Sequence, residues 1–447
     1  MNKLFLTIIL GLAACVAPAQ KSVSTPGVKG DYIPVMTSGK TALAEIEDNR
    51  WLAGSNYLDY DRQLPDFSYT PAPEGYVPFY FSHYGRHGSR WLIGKDDYER
   101  VLRPLRKARK EGKLTREGQR VLRELELFNK TTYKRLGDLT TVGERQHHGI
   151  GRRMTEHFPE IFKAEGVAVD ARSTTVNRCI LSMVAECEEL MAANPTARIH
   201  NDVSDALQYY LNQPWEGKVK ENADKANSAH EEFARRHTHP ERIAAVLFND
   251  QKWVADSIRA GRLMRQLFEV AVNMQSHDDA PDILNIFTTE EIYDQWRIQN
   301  AGWYQRYAAS PLTGSVMPFS QLNLLENIIQ TADTCVALKK PQATLRFGHE
   351  VCVMPLACLM ELDSCGVVVE DMEQLDKHWR NYRIFPMGCN IQLVFYRPLK
   401  GKGQVLVKAL LNEREVALPV NTDNYPYYQW RDLRKYWTQK LRQYRGQ

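Results

Sequence analysis

The sequence predicts an α/β fold: a central, mostly parallel sheet with flanking helices, plus a mostly α-helical insertion or cap. Three places along the 447 residues carry that expectation. In each, a short apolar run passes through a polar loop into a helical pattern. The runs are residues 77–82 before the loop 83–90, residues 167–172 before Ser173-Thr174, and residues 343–347 before Gly348-His349-Glu350. Strands that alternate with helices build βαβ units, and hence parallel sheets.

Taken in order, residues 1–20 read as a secretory signal. Lys3 gives a positive start, residues 4–12 are apolar apart from Thr7 and Gly11, and Ala17-Pro18-Ala19 offers a small-x-small cleavage site. The run is too short to span a bilayer. Leu12-Ala13-Ala14-Cys15 also resembles a bacterial lipobox, with Cys15 as a lipidated N-terminus, so two exits stay open. Either one exports the mature chain, to the periplasm, to the outer membrane as an anchored lipoprotein, or into the medium. No later segment is long and apolar enough to cross a membrane.

Residues 21–50 are a polar lead-in, and 51–76, rich in Tyr, Pro and Asp, read as an extended segment laid over the fold. Helical patterns follow at 95–130 and from Thr141, the candidate cap, to about Phe158, with Glu144 in the first turn. Another helix runs from the Ser173-Thr174 turn to about Ala193. Residues 205–340 hold no convincing strand and carry helical runs at 241–274 and 288–307, which makes them the helical insertion. The α/β core is then 51–204 and 341–447. Within it, 351–362 reads as an apolar helix, and 391–396 with 404–410 as a hairpin. A basic, aromatic helix from Arg431 reads as packed on the sheet rather than as a nucleic-acid binder.

The charge balance, 58 Lys+Arg against 54 Asp+Glu, gives no bulk reason to bind nucleic acid or a membrane surface. Any basic focus must be local. Eight cysteines are too few to build a fold from disulfides, and without a CxxC pair they hold no zinc motif. Cys179 and Cys187 are eight apart in a helix, about 12 Å along its axis, too far to bond each other. The cysteines read as buried small hydrophobes.

The three loops carry the chemistry. His83-Tyr84-Gly85-Arg86-His87-Gly88-Ser89-Arg90 puts a histidine between two arginines, whose planar forks match phosphate. Arg172 stands at the end of the second strand, His349 and Glu350 just past the third. In a doubly wound sheet such strand ends share one edge, where the loops can meet. Three arginines, two histidines and a carboxylate suit phosphoryl transfer through histidine. Arginines neutralise the transferring group, one imidazole attacks in line, and the carboxyl protonates the departing oxygen. The set calls for no metal or cofactor, and its partner is a small phosphorylated substrate. His83 reads as a supporting or core histidine. His147-His148 and His237/His239 have ligand-like spacing but no nearby Cys or carboxylate cluster, and read as solvated. Arg178 reads as a loop anchor.

These motifs resemble the histidine phosphatase superfamily, in the branch of histidine acid phosphatases and phytases. Arg86-His87-Gly88-Ser89-Arg90 matches its RHGxR signature, and Asp170-Ala171-Arg172-Ser173-Thr174 with Arg178 matches the second element. Leu139-Thr140 with Gly143 and Gln146 resembles the LTxxGxxQ helix start, and Gly348-His349-Glu350, with Pro355-Leu356 beyond, occupies the third element. The match spans roughly residues 50–410.

The resemblance implies that His87 is the nucleophile forming a phosphohistidine, and that Arg86, Arg90 and Arg172 hold the phosphate. His349 would add a donor, and Glu350 would be the proton donor and later the base. The third motif departs from the pattern. Most acid phosphatases carry His-Asp there and multiple inositol polyphosphate phosphatases His-Ala-Glu, whereas this chain has His-Glu followed by Val351. A glutamate reaches one methylene further and can still protonate the leaving oxygen.

The branch implies a secreted phosphomonoesterase acting on inositol polyphosphates such as phytate. The alternative is a broad-specificity acid phosphatase for sugar phosphates or nucleotides. A phosphotransferase using the same intermediate would need a retained second phosphate. A non-catalytic anion-binding surface protein is favoured only by the His-Glu departure.

Overall fold

Nine of the eleven residues of the first strand, β1 (Tyr76–Arg86), are buried. A strand buried on both faces belongs in the middle of a sheet, and β1 lies there in the computed structural model of the protein. The structure describes residues 39–64, 68–338, 340–400 and 403–446, so the signal at 1–20, with Cys15, lies outside the described residues. The other strands are β2 (Ala168–Ser173), β3 (Arg198–Val203), β4 (Gln342–Gly348), β5 (Asn390–Pro398), β6 (Leu406–Leu411), β7 (Arg414–Val416) and β8 (Tyr428–Gln429). Their order is β3-β2-β4-β1-β5-β6-β7, with β8 on β6. β3, β2, β4 and β1 run parallel, and β5 turns the sheet antiparallel. The central, mostly parallel sheet with flanking helices is therefore present. Pro78 sits in β1 where the register against β5 shifts between Pro78 and Tyr80, the kind of irregularity that absorbs a missing N–H.

Side chains alternate across the sheet. Tyr80 and Tyr84 of β1, with Leu393 and Phe395 of β5, face one core, shared with helices Leu322–Leu338, Glu350–Met360 and Trp430–Arg445. Phe81, Leu345, Phe347 and Val394 face the other, against Ile150, Met154, Met183 and Leu190 of helices Thr141–His157 and Asn177–Ala193.

A third core joins Ala42 and Ile46, Leu102 and Leu105, Val121 and Leu122, and Leu247, Leu267, Phe268 and Trp296. Helices Glu99–Lys110 and Arg116–Thr131 thus pack with residues from 241–296, although by sequence they fall in the 51–204 segment.

Several local expectations are corrected. The polar lead-in contains a helix, Ala42–Asp48, capped by Thr41. The extended segment contains two 3-10 turns, Arg50–Tyr57 and Tyr60–Gln63, capped by the side chains of Asn49 and Asp59. Thr140, not Thr141, caps its helix by accepting from the Gly143 N–H at 3.2 Å. The run at 241–274 breaks because Phe248 and Ile258 are extended and Asp250 caps a new helix between them.

β3 escapes sequence reading because it is an edge strand with His200-Asn201-Asp202 at its centre, where no apolar alternation is needed. Asn412 and Glu413, with φ of 51° and 60°, form the two-residue turn between β6 and β7. Seven cysteines among the described residues are free and buried. No helix among them is long and apolar enough to cross a membrane.

Candidate active site

Three strand ends build the site. Arg86, the last residue of β1, is registered against Gly348, the last of β4. Beyond them the His87 N–H donates to Gly348 O at 3.1 Å and the Arg86 N–H to Cys389 O at 2.8 Å. The loop 87–90 is then held from both sides. Gly88 N donates to Ser182 Oγ (3.1 Å) and Ser89 N to Gln146 Oε1 (2.9 Å), while Ser89 O accepts from Thr140 N and Oγ1.

Backbone lies on backbone here. A Cβ at Gly88 would fall 2.3 Å from Gly143 O, and one at Gly143 would fall 2.3 Å from Ser89 O. The RHGxR loop and the Gly143 turn therefore fit only as a pair, which explains why both sequence elements contain glycine at those places.

His87 is buried, and its Nδ1 lies 2.8 Å from Gly88 O. A carbonyl can only accept, so Nδ1 carries the proton and Nε2 keeps a free lone pair. Nε2 is 3.8 Å from Glu350 Oε2. Burial, reinforced by Arg86, Arg178, Arg90 and His349, holds the His87 pKa well below its ordinary value, so the imidazole is neutral and nucleophilic.

Glu350 opens the Glu350–Met360 helix directly after His349, its N-cap residue. Its Oε2 is 3.0 Å from Arg86 Nε, and its Oε1 is 3.9 Å from Arg90 Nη2. Burial by itself would raise this carboxyl, but Arg86 and Arg90 outweigh it and hold the pKa at about 2. His349 packs edge-on to His87, with ring centroids 5.7 Å apart, and its Nε2 is 3.4 Å from Thr174 Oγ1. Burial leads in lowering the His349 pKa to about 4; Glu350 opposes it, and Arg178, Arg86 and Arg90 add to it.

Arg86 Nη1 donates to three carbonyls, those of Asn56 (2.6 Å), Phe385 (3.2 Å) and Pro386 (3.1 Å). Its Nη2 is buried with no partner, as is Nε of Arg90. Unfilled guanidinium donors out of water are costly unless an anion arrives. Arg90 also lies over the ring of Tyr57, 5.5 Å from its centroid, so the 3-10 turn Arg50–Tyr57 forms a wall of the site that the sequence did not announce.

Five of the six expected residues, Arg86, His87, Arg90, His349 and Glu350, come together. Arg172 does not join them. Alternation along β2 places it on the face of Asp170, whose Oδ2 it pairs at 2.8 Å, and its Nη1 reaches Tyr210 Oη at 3.3 Å. The third arginine is Arg178, the second residue of helix Asn177–Ala193, whose charge bears on His87, His349 and Arg90. It donates to Gly137 O at 3.3 Å, and its Nε is buried and unpartnered. Arg178 starts the helix whose Cys179 and Ser182 face the loops, bonding Gly348 O and Gly88 N.

Other histidines settle elsewhere. His147 is not solvated; it is buried, with Nδ1 2.7 Å from Glu186 Oε1. His83 is a core residue with both ring nitrogens unpartnered. His148 and His237 pair Glu189 and Glu373 at 3.0 Å.

One nitrogen each from His87 and His349 and an oxygen from Glu350 lie within 4.8 Å of one another, a spacing that could hold a metal ion. Glu350 already pairs with Arg86 and stands near Arg90, and the charge of Arg178 bears on both histidines. At an effective dielectric of ~20, two like unit charges ~4 Å apart cost ~4 kcal/mol, and a dication costs more. The electrostatics favour a phosphoryl group.

A search of curated proteins finds no match. Among solved structures, the multiple inositol polyphosphate phosphatase of Bifidobacterium longum in its apo form superposes with a TM-score of 0.70 at 18% identity, over 85% of this chain and 96% of that one. Its complex with inositol hexasulfate gives 0.68 at 17% identity, over 86% and 97%. The phytase from D. castellii gives 0.67 at 14% identity, over 88% and 85%. At these identities the likeness speaks for the fold. The family model of the histidine phosphatase superfamily (branch 2) matches residues 86–412, from the arginine that opens the site to the turn after β6. The chain belongs to branch 2 of the histidine phosphatase superfamily and is a phosphoric monoester hydrolase.

Proposed function

We propose that the protein is an exported histidine acid phosphatase that hydrolyses inositol polyphosphates such as phytate through a phosphohistidine on His87. The observation that carries this reading is the orientation of His87: Nδ1 is occupied by Gly88 O, and Nε2 stands beside Glu350 within a cluster of arginines.

In this reading Nε2 attacks phosphorus in line. The P–O bond to the alcohol breaks, its electron pair leaves with the oxygen, and that oxygen takes a proton from Glu350. Water then attacks the phosphohistidine, Glu350 takes the water's proton, the N–P bond breaks, and inorganic phosphate leaves. Arg86, Arg90 and Arg178 spread the charge of the transferring group, and His349 donates to one of its oxygens. Glu350 is ionised while it rests on Arg86; a phosphate that takes over the arginines frees it to carry a proton. The substrate class is supported by the fold shared with a protein solved with inositol hexasulfate. Export is supported by the pattern of residues 1–20.

The test is phosphate release from p-nitrophenyl phosphate and from phytate, with the inositol phosphates that accumulate identified. Turnover of both, an acid-labile phosphoenzyme on rapid quench, and loss of roughly 10⁴-fold or more in kcat for His87→Ala are the expected results. No release from either ester at any acidic to neutral pH overturns the reading.

A further inference from the structure

The small positive charge of the chain is not spread evenly. Helices Glu99–Lys110 and Arg116–Thr131, with the turns that join and follow them to Arg135, hold 13 Lys or Arg against five Glu and no Asp. That is a balance of +8 in a chain whose total is +4, so everything else together is net acidic. The local basic focus that bulk charge could not reveal is this helix pair.

The five glutamates are all engaged. Glu99 pairs Arg106, Glu126 pairs Arg106 and Arg109, Glu117 and Glu124 both pair Arg120, and Glu111 accepts from Trp253 Nε1. Acids from outside meet Arg100, Arg103, Lys113 and Arg135. Lys107, Lys110, Arg116, Arg123, Lys130 and Lys134 are exposed and have no ion pair among the described residues.

Half of these cations form a row. Arg116, Arg123, Leu127 and Lys130 recur at steps of seven, four and three, which puts them on one face of the second helix. That face is opposite the one buried through Leu122 and Leu125. Leu127, 62% exposed, stands between two of the free cations, and Tyr133, 74% exposed, lies just beyond the helix with Lys134 over its ring. Exposed apolar side chains scattered singly are ordinary; these two are set within a band of unpaired positive charge.

We propose that this face docks on an anionic lipid surface. Arg116, Arg123 and Lys130, with Lys107 and Lys110 of the first helix, meet phosphate headgroups. Leu127 and Tyr133 enter the boundary between headgroups and acyl chains. The face calls for a partner with many negative charges in a plane and an apolar layer directly beneath them, and a bilayer supplies both. A nucleic-acid duplex supplies the charges but leaves Leu127 nothing to enter. None of the strand-end residues that build the candidate active site belongs to this face, so docking and turnover are separate properties.

The test is co-sedimentation with vesicles of phosphatidylglycerol and of phosphatidylcholine. It uses the full-length protein carrying Cys15→Ser, so that no acyl chain at the N-terminus contributes. Partition onto phosphatidylglycerol is expected to exceed that onto phosphatidylcholine about tenfold or more and to fall as salt is raised. Arg116→Gln, Arg123→Gln and Lys130→Gln combined should remove most of that excess. Leu127→Ser should weaken it several-fold without changing charge, and keeps the test open if the triple variant does not fold. Lys218→Gln, Lys220→Gln and Lys225→Gln combined, on the exposed side of helix Gly217–Arg236, make the same charge change elsewhere and should leave the excess largely intact. Equal binding to both vesicles, no loss in the Arg116–Lys130 face variants, or an equal loss in the Lys218 control overturns the lipid surface. So does a short DNA duplex that binds more tightly than the vesicles.

Discussion

Arg86 Nε and Glu350 Oε2 stand 3.0 Å apart, with the Arg86 side chain wholly out of water and Glu350 nearly so. The carboxylate therefore neutralises the arginines in the absence of phosphate. Burial raises its pKa, but Arg86 and Arg90 hold it at about 2. A carboxyl depressed in this way stabilises the fold above its unfolded pKa of ~4.3 and loses that contribution as the pH falls towards about 2. Glu350→Gln is expected to lose about 3 kcal/mol at neutral pH, because it strands buried guanidinium charge. The gap from wild type should narrow below pH ~4. Melting curves across that range check it, and a gap independent of pH would show that the pair contributes nothing.

Arg178 and Arg172 separate the geometry from the sequence motif. Arg178→Ala is expected to lower kcat/KM by about 10²- to 10³-fold, the typical loss of one donor to the transition state. Arg172→Ala, which breaks a partly exposed pair with Asp170, should stay within a few-fold. Steady-state kinetics on one chromogenic ester decide it; the opposite order would put Arg172 back among the phosphate ligands.

Gly143→Ala puts a methyl against the Ser89 backbone, at 2.3 Å from O and 2.6 Å from N. Backbone cannot rotate aside as a side chain can. The expected cost is about 1–3 kcal/mol, with a fall in kcat because the loop bearing His87 is displaced. Melting and activity measured together test this, and an unaltered kcat would mean that the loop tolerates the shift.

His83 is buried, and burial first, then His147 and Arg346, push its pKa down to about 3. Such a group stays neutral in the folded protein while the unfolded chain takes up a proton below pH ~6.5. Stability should therefore fall as the pH drops from ~6.5 towards 3, with His349, at about 4, contributing in the same direction. His83→Leu is expected to flatten the slope of melting temperature against pH, and a slope unaffected by it would assign the acid sensitivity to other groups.

The sheet and most of the site were legible because they are written in short-range patterns. Apolar runs ending in Arg86, in Ser173-Thr174 and in Gly348 mark strands whose ends must meet, and His87 and Glu350 follow directly. Arg172 misled for a two-residue reason: alternation on β2 turns it to the face of Asp170 and Tyr210, while Arg178 reaches the cluster from the first turn of the following helix. Nothing local distinguishes those two arginines. Tyr57 and the cavity it lines were not legible either, because they arise from packing between segments distant in the chain, at 56–57, 230 and 265–307.

The three carbonyls that receive Arg86 Nη1 come from Asn56, Phe385 and Pro386, 30, 299 and 300 residues away in the chain. One guanidinium therefore gathers the early and late parts of the polypeptide around His87. Without the segment at 385–386 only one of those three carbonyls, that of Asn56, is left to receive it. The seat of this guanidinium is thus shared between a turn that precedes the first strand and a loop that follows the fourth.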